Sequence, residues 1–410
     1  MIKCWSKEET LWSFALYGTA VGAGTLFLPI QLGSAGAVVL FLTALLAWPL
    51  TYWPHKALCQ FILASKAGDQ QDGITSAVRQ FFGNKIGNLI SILYFVAFFV
   101  VILIYAVAIT NSLAEQLARH QVVGEGTRVL LSLGVVATLN LIFLTGRHVT
   151  IKVMGFLVFP LIAYFLFLSV YLSSHWQPSL LTSGLTYTPD TLHDIWFSIP
   201  VMVFAFSHTP IISTFSVAQR EKYHDQAMAK CKKIMKVAYL IICLSVLFFV
   251  FSCFMAIPAE DVEIAKTQGL TILSALSMMS SSAGWLSASG IIVAVVAMSK
   301  SFLGTYFGVI EGATQVVSST AQFAGFNPGP KLSRGLSLAI VSLFTFIVCC
   351  INPNALSMIY AISGPLIALI LFIMPTLSTW LVPALRPYRS VANFLVLVVG
   401  LLCVSVMFFK

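Results

Sequence analysis

Three places in this chain carry groups able to hold a small polar ligand inside an apolar medium. The first is Gly18-Thr19-Ala20-Val21-Gly22-Ala23-Gly24, which interrupts an otherwise apolar stretch. Each of its three glycines weakens a helix by about 1 kcal/mol relative to alanine. The second is Phe206-Ser207-His208-Thr209-Pro210, where Pro210 lacks a donor and clashes with the Phe206 carbonyl, so a helix should open near 206–208. The third is Lys300, alone in a run that is otherwise uncharged from residue 286 to 308.

An opened helix exposes two kinds of backbone group. The N-terminal end of its outer half presents N–H groups and the positive pole of a dipole, which suit a carboxylate. The C-terminal end of its inner half presents free carbonyls, which suit an ammonium. The spacing predicts that the first helix resumes near Ala23 and that carbonyls are freed near Tyr17–Thr19 and Ala205–Ser207. An α-amino acid zwitterion would therefore be held by Thr19, Ala20, Gly22, Ala23, Gly24, Phe206, Ser207 and His208 without a charged side chain. Close helix packing is the other use for such glycines.

Of seven histidines, His208 alone falls within an expected span, which makes it a substrate or proton-relay residue. The alternative is a neutral histidine bonded to freed backbone. A lysine at the depth of Lys300 is costly and by default functional, and it should face the protein interior. A structural anchor is the competing role. Tyr105 can reach a substrate carboxylate or serve as a packing tyrosine. Asn111, Ser301 and Ser363 are secondary candidates; Thr19, Ser207 and Ser301 are possible partners for a substrate hydroxyl. None of the fourteen carboxylates lies at mid-depth, so coupling through a buried acid is not expected.

The elements that position these groups follow from composition. Hydrophobic residues make up 59% of the 410 and charged residues 9%, with mean hydropathy +0.94. A soluble domain carries roughly 25% charged residues. An all-α, multi-pass membrane protein is expected, with eleven spans near 10–31, 35–54, 88–114, 129–146, 150–172, 194–217, 236–257, 286–308, 334–351, 355–378 and 391–409. Unpaired backbone at such depth costs several kcal/mol per group unless it lines an enclosed cavity. The two breaks therefore mark a binding site, at the centre of the first and sixth spans.

The net charge of +9 is distributed by side and is no signal for nucleic acid. With eleven spans, most Lys and Arg fall on the loops of one face, among them Lys7, Lys56, Arg79, Arg220 and Arg386, whereas Arg119, Arg128, Lys266 and Lys410 fall on the other. The positive-inside rule then puts the N-terminus in the cytoplasm and the C-terminus outside. No cleavable signal peptide is expected, because the first apolar stretch is too long. The eight cysteines show no zinc-ligand spacing and should be packing residues. No metal or cofactor is implied. Residues 55–87 and 218–235 should carry helical extensions, and 258–285 short helices at the outer mouth. The chain reads as one membrane domain, 1–410.

The run from Tyr17 to Ile30 (YGTAVGAGTLFLPI) resembles the opening helix of the bacterial hydroxy/aromatic amino acid permeases. Pro200 to Phe204 (PVMVF), His208 to Ser213 (HTPIIS), Lys300 to Gly304 (KSFLG) and Ser363-Gly364-Pro365 are similar to that family's later helices, in its serine/threonine branch. The resemblance implies a five-plus-five inverted-repeat (LeuT-like) fold with broken helices 1 and 6, its repeats near 10–172 and 194–378 and an extra helix at 391–409. It further implies proton-coupled uptake of a small neutral amino acid, L-serine or L-threonine, through a bacterial inner membrane, with protons and the bilayer as the other partners. In sodium-coupled relatives of the fold, helix eight helps bind sodium against the opened first helix. Lys300 can take the place of that ion, and a buried lysine can also release its proton. An aromatic amino acid substrate, or export, is the alternative within the family. A different class, the ion channel, needs a continuous polar path, and a membrane enzyme would need a metal-ligand cluster, nucleophile elbow or embedded acid pair, none of which this sequence shows.

Overall fold

The computed structural model describes residues 5–65, 73–118, 124–183, 190–279, 284–323 and 325–409. Among them every regular element is helical, as a bilayer requires of a chain that must satisfy its own backbone. Arg119, Lys410 and Cys4 lie outside the described residues.

The chain runs through α1 (Lys7–Ala20), α2 (Ala23–Ala35), α3 (Ala37–Ala64), α4 (Ile74–Ala118), α5 (Glu125–Leu144) and α6 (Arg147–Ser173). A short α7 (Pro178–Ser183) precedes α8 (Thr191–Phe206), α9 (Thr209–Tyr223) and α10 (Ala227–Ala256). Then come α11 (Ala259–Thr267), α12 (Ile272–Met279), α13 (Gly284–Phe323) and α14 (Pro330–Ile351). The last two are α15 (Ala355–Leu381), which contains π-helical turns at Ile359–Ser363 and Leu369–Ile373, and α16 (Val391–Ser405).

Nine helices among the described residues are long and apolar enough to cross a membrane, or ten when α1 and α2 count as one span bent by 52°. The sixth expected span is cut into α8, of 16 residues, and α9, of 15. Neither half is long enough alone. Side chains such as Leu45, Leu130, Phe156 and Val391 are exposed on the outer surface, where lipid would cover them.

The expected extensions exist. α3 continues past residue 54 to Ala64, because Ala57, Leu58, Cys59, Phe61 and Ile62 prolong a buried face. α4 turns sharply at Gly83, whose φ of 78° is open to glycine at little cost. α11 and α12 form the short helices between α10 and α13. The seven described cysteines are free thiols, six of them buried.

The interior gathers around the two interrupted helices. α2 packs on α8, α3 on α10, and α1 on α10, while the long α13 lies against α4 and α6. Phe27, Phe215, Tyr239, Phe249, Phe302 and Lys300 are the bulky side chains of this interior, all essentially fully buried. One of those six is a cation, and it lies beside the first break.

Candidate site at two helix breaks

α1 ends at Ala20, Val21 turns to extended backbone (φ −83°, ψ 103°), and Gly22 stands as N-cap of α2 with φ −159° and ψ −148°. The break is thus confined to Val21-Gly22. Gly18 remains helical, and helix resumes at Ala23 as the spacing predicted. Gly22 and Gly24 are demanded by proximity. A methyl group at Gly24 would collide with the Ala205 backbone of α8, and one at Gly22 would fall on Ser301 Oγ and lie 3.4 Å from Tyr105 Oη. The two broken helices therefore cross at their small residues.

The carbonyls released by this break have distinct partners. Val21 N–H donates to the Tyr17 carbonyl (3.1 Å), and Thr25 Oγ1 donates to the Ala20 carbonyl (3.5 Å). Lys300 Nζ, on α13, donates to the Gly18 carbonyl, and the neighbouring Ser301 Oγ donates to the Val21 carbonyl (3.2 Å). Lys300 is 1% exposed. Its ammonium thus sits on the negative pole of α1, where a cation is favoured by the helix dipole. Consecutive residues of one helix close two carbonyls of the other.

At the positive pole, α2 has no side-chain cap. Tyr105 of α4 lies beside it, within hydrogen-bond reach of Ser301, with its ring 6.3 Å from that of Phe204. Uncapped N–H groups, a phenol and a hydroxyl so placed form a cradle for a carboxylate. The adjoining crevice encloses about 160 Å³ between Tyr17, Val21, Thr25, Phe165, Ser245 and Phe249.

The second break falls at Ser207 (φ −84°, ψ 133°) and His208 (φ −139°, ψ 39°), with Pro210 in the first turn of α9. Phe206 is buried at the end of α8, and Ser207 Oγ and Thr209 Oγ1 are 3.0 Å apart. His208 turns its ring toward α3 and α10: it stacks on His55 (centroids 3.9 Å apart, 9° between planes) and meets Tyr239 edge-on at 4.8 Å.

His55 is the residue that the sequence reading missed. It begins the expected helical extension beyond the second span, and it lies in α3 and is 1% exposed. The signal was present in the four-residue spacing of Thr51, His55 and Cys59, all buried on one helix face. The count of one histidine within the spans is corrected to at least two.

The remaining candidates divide. Thr19 Oγ1 donates to the Ala15 carbonyl (2.8 Å), and Ala20 and Ala23 are buried. Ser363 is buried in a π-helical turn of α15, and its hydroxyl has no partner among the described residues. The next residue, Gly364, lies against Pro200 of α8. Asn111 accepts from Arg128 Nη1 (2.9 Å), and the same guanidinium reaches the Cys349 carbonyl (2.8 Å). Six residues beyond Tyr105, Asn111 lies about 9 Å further along the helix, tied to α5 and α14 rather than brought to the breaks.

A family model described as the tryptophan/tyrosine permease family matches residues 7–410. The chain belongs to that family. This permease is accordingly a membrane transport protein of an amino acid transporter family and not an enzyme. It is 73% identical over 410 residues to the inner membrane transport protein YqeG of Escherichia coli (strain K12), covering 100% of both chains. It is 37% identical over 414 residues to the serine transporter SdaC of the same strain, covering 99% of this chain and 95% of that one. To the threonine/serine transporter TdcC of Edwardsiella tarda it is 33% identical over 424 residues, covering 98% and 95%. The resemblance drawn from the motifs is confirmed over nearly the whole permease.

Proposed function

We propose that this permease is a secondary active transporter that carries a small neutral hydroxylated amino acid, L-serine or L-threonine, together with protons across a bacterial inner membrane. The observation that carries the proposal is the contact of Lys300 with the Gly18 carbonyl at the first break. A tethered ammonium on the negative pole of α1 does what a bound sodium ion would do there, and does it without the ion. Proton coupling then has carriers in Lys300 and in His208 at the second break.

The substrate carboxylate would meet Gly22, Ala23 and Gly24 at the start of α2, with Tyr105 and Ser301 beside it. Its ammonium would meet freed carbonyls near Thr19, Ala20 and Phe206. In this reading Ser207 would meet a side-chain hydroxyl, with Thr19 able to do so only by turning its own hydroxyl from the Ala15 carbonyl, and a site built to bond a hydroxyl rejects analogues that lack it. The names of the serine and threonine/serine relatives support this substrate class. Small residues at the crossing of α2 and α8 favour a small side chain over an aromatic one.

In this proposal α8 and α9 together form one crossing. Eleven spans then put the N-terminus in the cytoplasm and the C-terminus in the periplasm, with inverted repeats at 10–172 and 194–378 and an appended helix at 391–409. Alternating access would come from α1/α2, α3, α8/α9 and α10 rocking against the rest. Uptake of labelled serine into proteoliposomes, competed by threonine and by tryptophan, tests the proposal. Competition by threonine with tryptophan inert is expected; the reverse order would assign an aromatic substrate. Flux without saturation or counterflow would indicate a channel.

A further inference from the structure

The α8/α9 break is held by a bond that fixes the protonation state of His55. His55 Nδ1 lies 2.6 Å from the Thr51 carbonyl, which can only accept, so Nδ1 carries a hydrogen. His55 Nε2 lies 3.2 Å from the His208 backbone nitrogen, an N–H that can only donate, so Nε2 presents its lone pair. Histidine 55 is therefore neutral in this conformation. A proton on Nε2 would set N–H against N–H and break the bond that closes α3 onto the hinge.

The surroundings mark a site with two states. Among the described residues neither ring nitrogen of His208 has a partner in good geometry, the Phe206 carbonyl being the acceptor nearest to forming one, and neither does the Tyr239 hydroxyl, although both side chains are essentially fully buried. Each such orphan costs about 1–3 kcal/mol, which a single permanent arrangement would not retain. The ionisable group facing both rings is Tyr239 of α10, with Tyr52 and Cys59 of α3 and Cys231 and Cys243 of α10 behind it. Each ring faces the other across the stack, and among the described residues no carboxylate or ammonium acts on either. Lys56 turns to the Tyr52 ring, and on α9 Arg220 is held by the carbonyls of Ile62 and Ser65. From the turn after α15, Arg389 is held by those of Thr379 and Trp380.

We propose that His55 Nε2 is a proton-binding site of the transport cycle, filled only when the His208 N–H releases it, so that protonation and opening of the α8/α9 break are one event. His55 acts as a coupling residue through the hinge and need not touch the substrate. The inference rests on the proton-coupled reading above and adds to it the group that ties the proton to the conformational change.

The test uses the full-length protein in proteoliposomes, as wild type and as His55→Gln, whose amide oxygen can accept from the hinge but does not titrate. Counterflow of serine at equal pH is compared with uphill accumulation under an inward proton gradient. His55→Gln should keep counterflow and lose accumulation by about tenfold or more. Accumulation equal to wild type would overturn the inference. A wild type that ignores the proton gradient would instead overturn proton coupling itself. If His55→Gln loses counterflow as well, amide exchange at His208 in the wild type decides. Protection, corrected for intrinsic rates, should fall as pH is lowered over the whole range in which the protein stays folded; protection independent of pH across that range would overturn the inference.

Discussion

Lys300 and Gly18 lie 282 positions apart and meet inside the molecule, the ammonium of one donating to the carbonyl of the other. The contact joins α13 to the last turn of α1. Glycine is needed on the α1 side, because a methyl group at residue 18 would stand 3.1 Å from Nζ and 2.5 Å from a methyl of Val158. Removing the charge should therefore disable the site while leaving the fold recognisable. Lys300→Met leaves the Gly18 carbonyl unpaired in an apolar setting, at a cost of about 1–3 kcal/mol. The expected outcome is a modestly lower melting temperature in detergent together with loss of gradient-driven uptake. Uptake at the wild-type level would show the lysine to be an anchor.

The crossing of α2 and α8 leaves no room for a side chain at residue 24. Gly24→Ala should force the helices apart, destabilise the protein by about 1–3 kcal/mol and abolish transport. Gly134 of α5 has open space around it, so Gly134→Ala is the matched control and should be neutral or slightly stabilising. Thermal unfolding of the two variants side by side measures the difference.

Two ion pairs join the start of α1 to the end of α9 and the first turn of α10, and they should differ sharply in weight. Glu9 Oε1 and Lys230 Nζ are 2.7 Å apart and nearly inaccessible, whereas the Glu8–Lys222 pair is about half exposed. Glu9 also completes a capping box with Ser6. Glu9→Gln strands a buried ammonium, for which about 3–5 kcal/mol of destabilisation is expected; Glu8→Gln should cost about 0–1 kcal/mol. Melting curves of both variants, and of a double-mutant cycle with Lys230→Met, supply the comparison.

Tyr105 brings its hydroxyl beside Gly22 and Ser301 at the start of α2. Tyr105→Phe keeps the ring against Phe204 and removes that hydroxyl. If the cradle holds the substrate carboxylate, loss of one charge-assisted bond of about 1.5–3 kcal/mol should raise KM by roughly tenfold or more, with little change in thermal stability. An unchanged KM with a lowered melting temperature would make Tyr105 a packing residue.

Both breaks were legible in the sequence, because glycine and proline act on the backbone that carries them. Gly22 and Pro210 announce their effect without tertiary information. Lys300 was legible because a charge in an apolar run has few tolerable partners. His55 was not, since the apolar run ends near Pro54 and the residues beyond it read as a polar extension outside the span. Whether a helix continues past such a point depends on what its far face packs against, in this case Tyr239 and the inner half of α9. The role of Asn111 was equally hidden. Its position on α4 was clear, but the Arg128 guanidinium that takes its side chain comes from the next helix, and a one-dimensional reading does not give the rotation between them. The count of spans was ambiguous for a related reason: the same break that marks the second site divides its helix into halves shorter than a bilayer.

The central claim is that a tethered ammonium on the broken first helix replaces a bound sodium ion. Serine accumulation in proteoliposomes prepared wholly without sodium, under an inward proton gradient, tests it most directly. Concentrative uptake that is unaffected by added sodium is the result expected. Uptake that appears only when sodium is supplied would contradict the account.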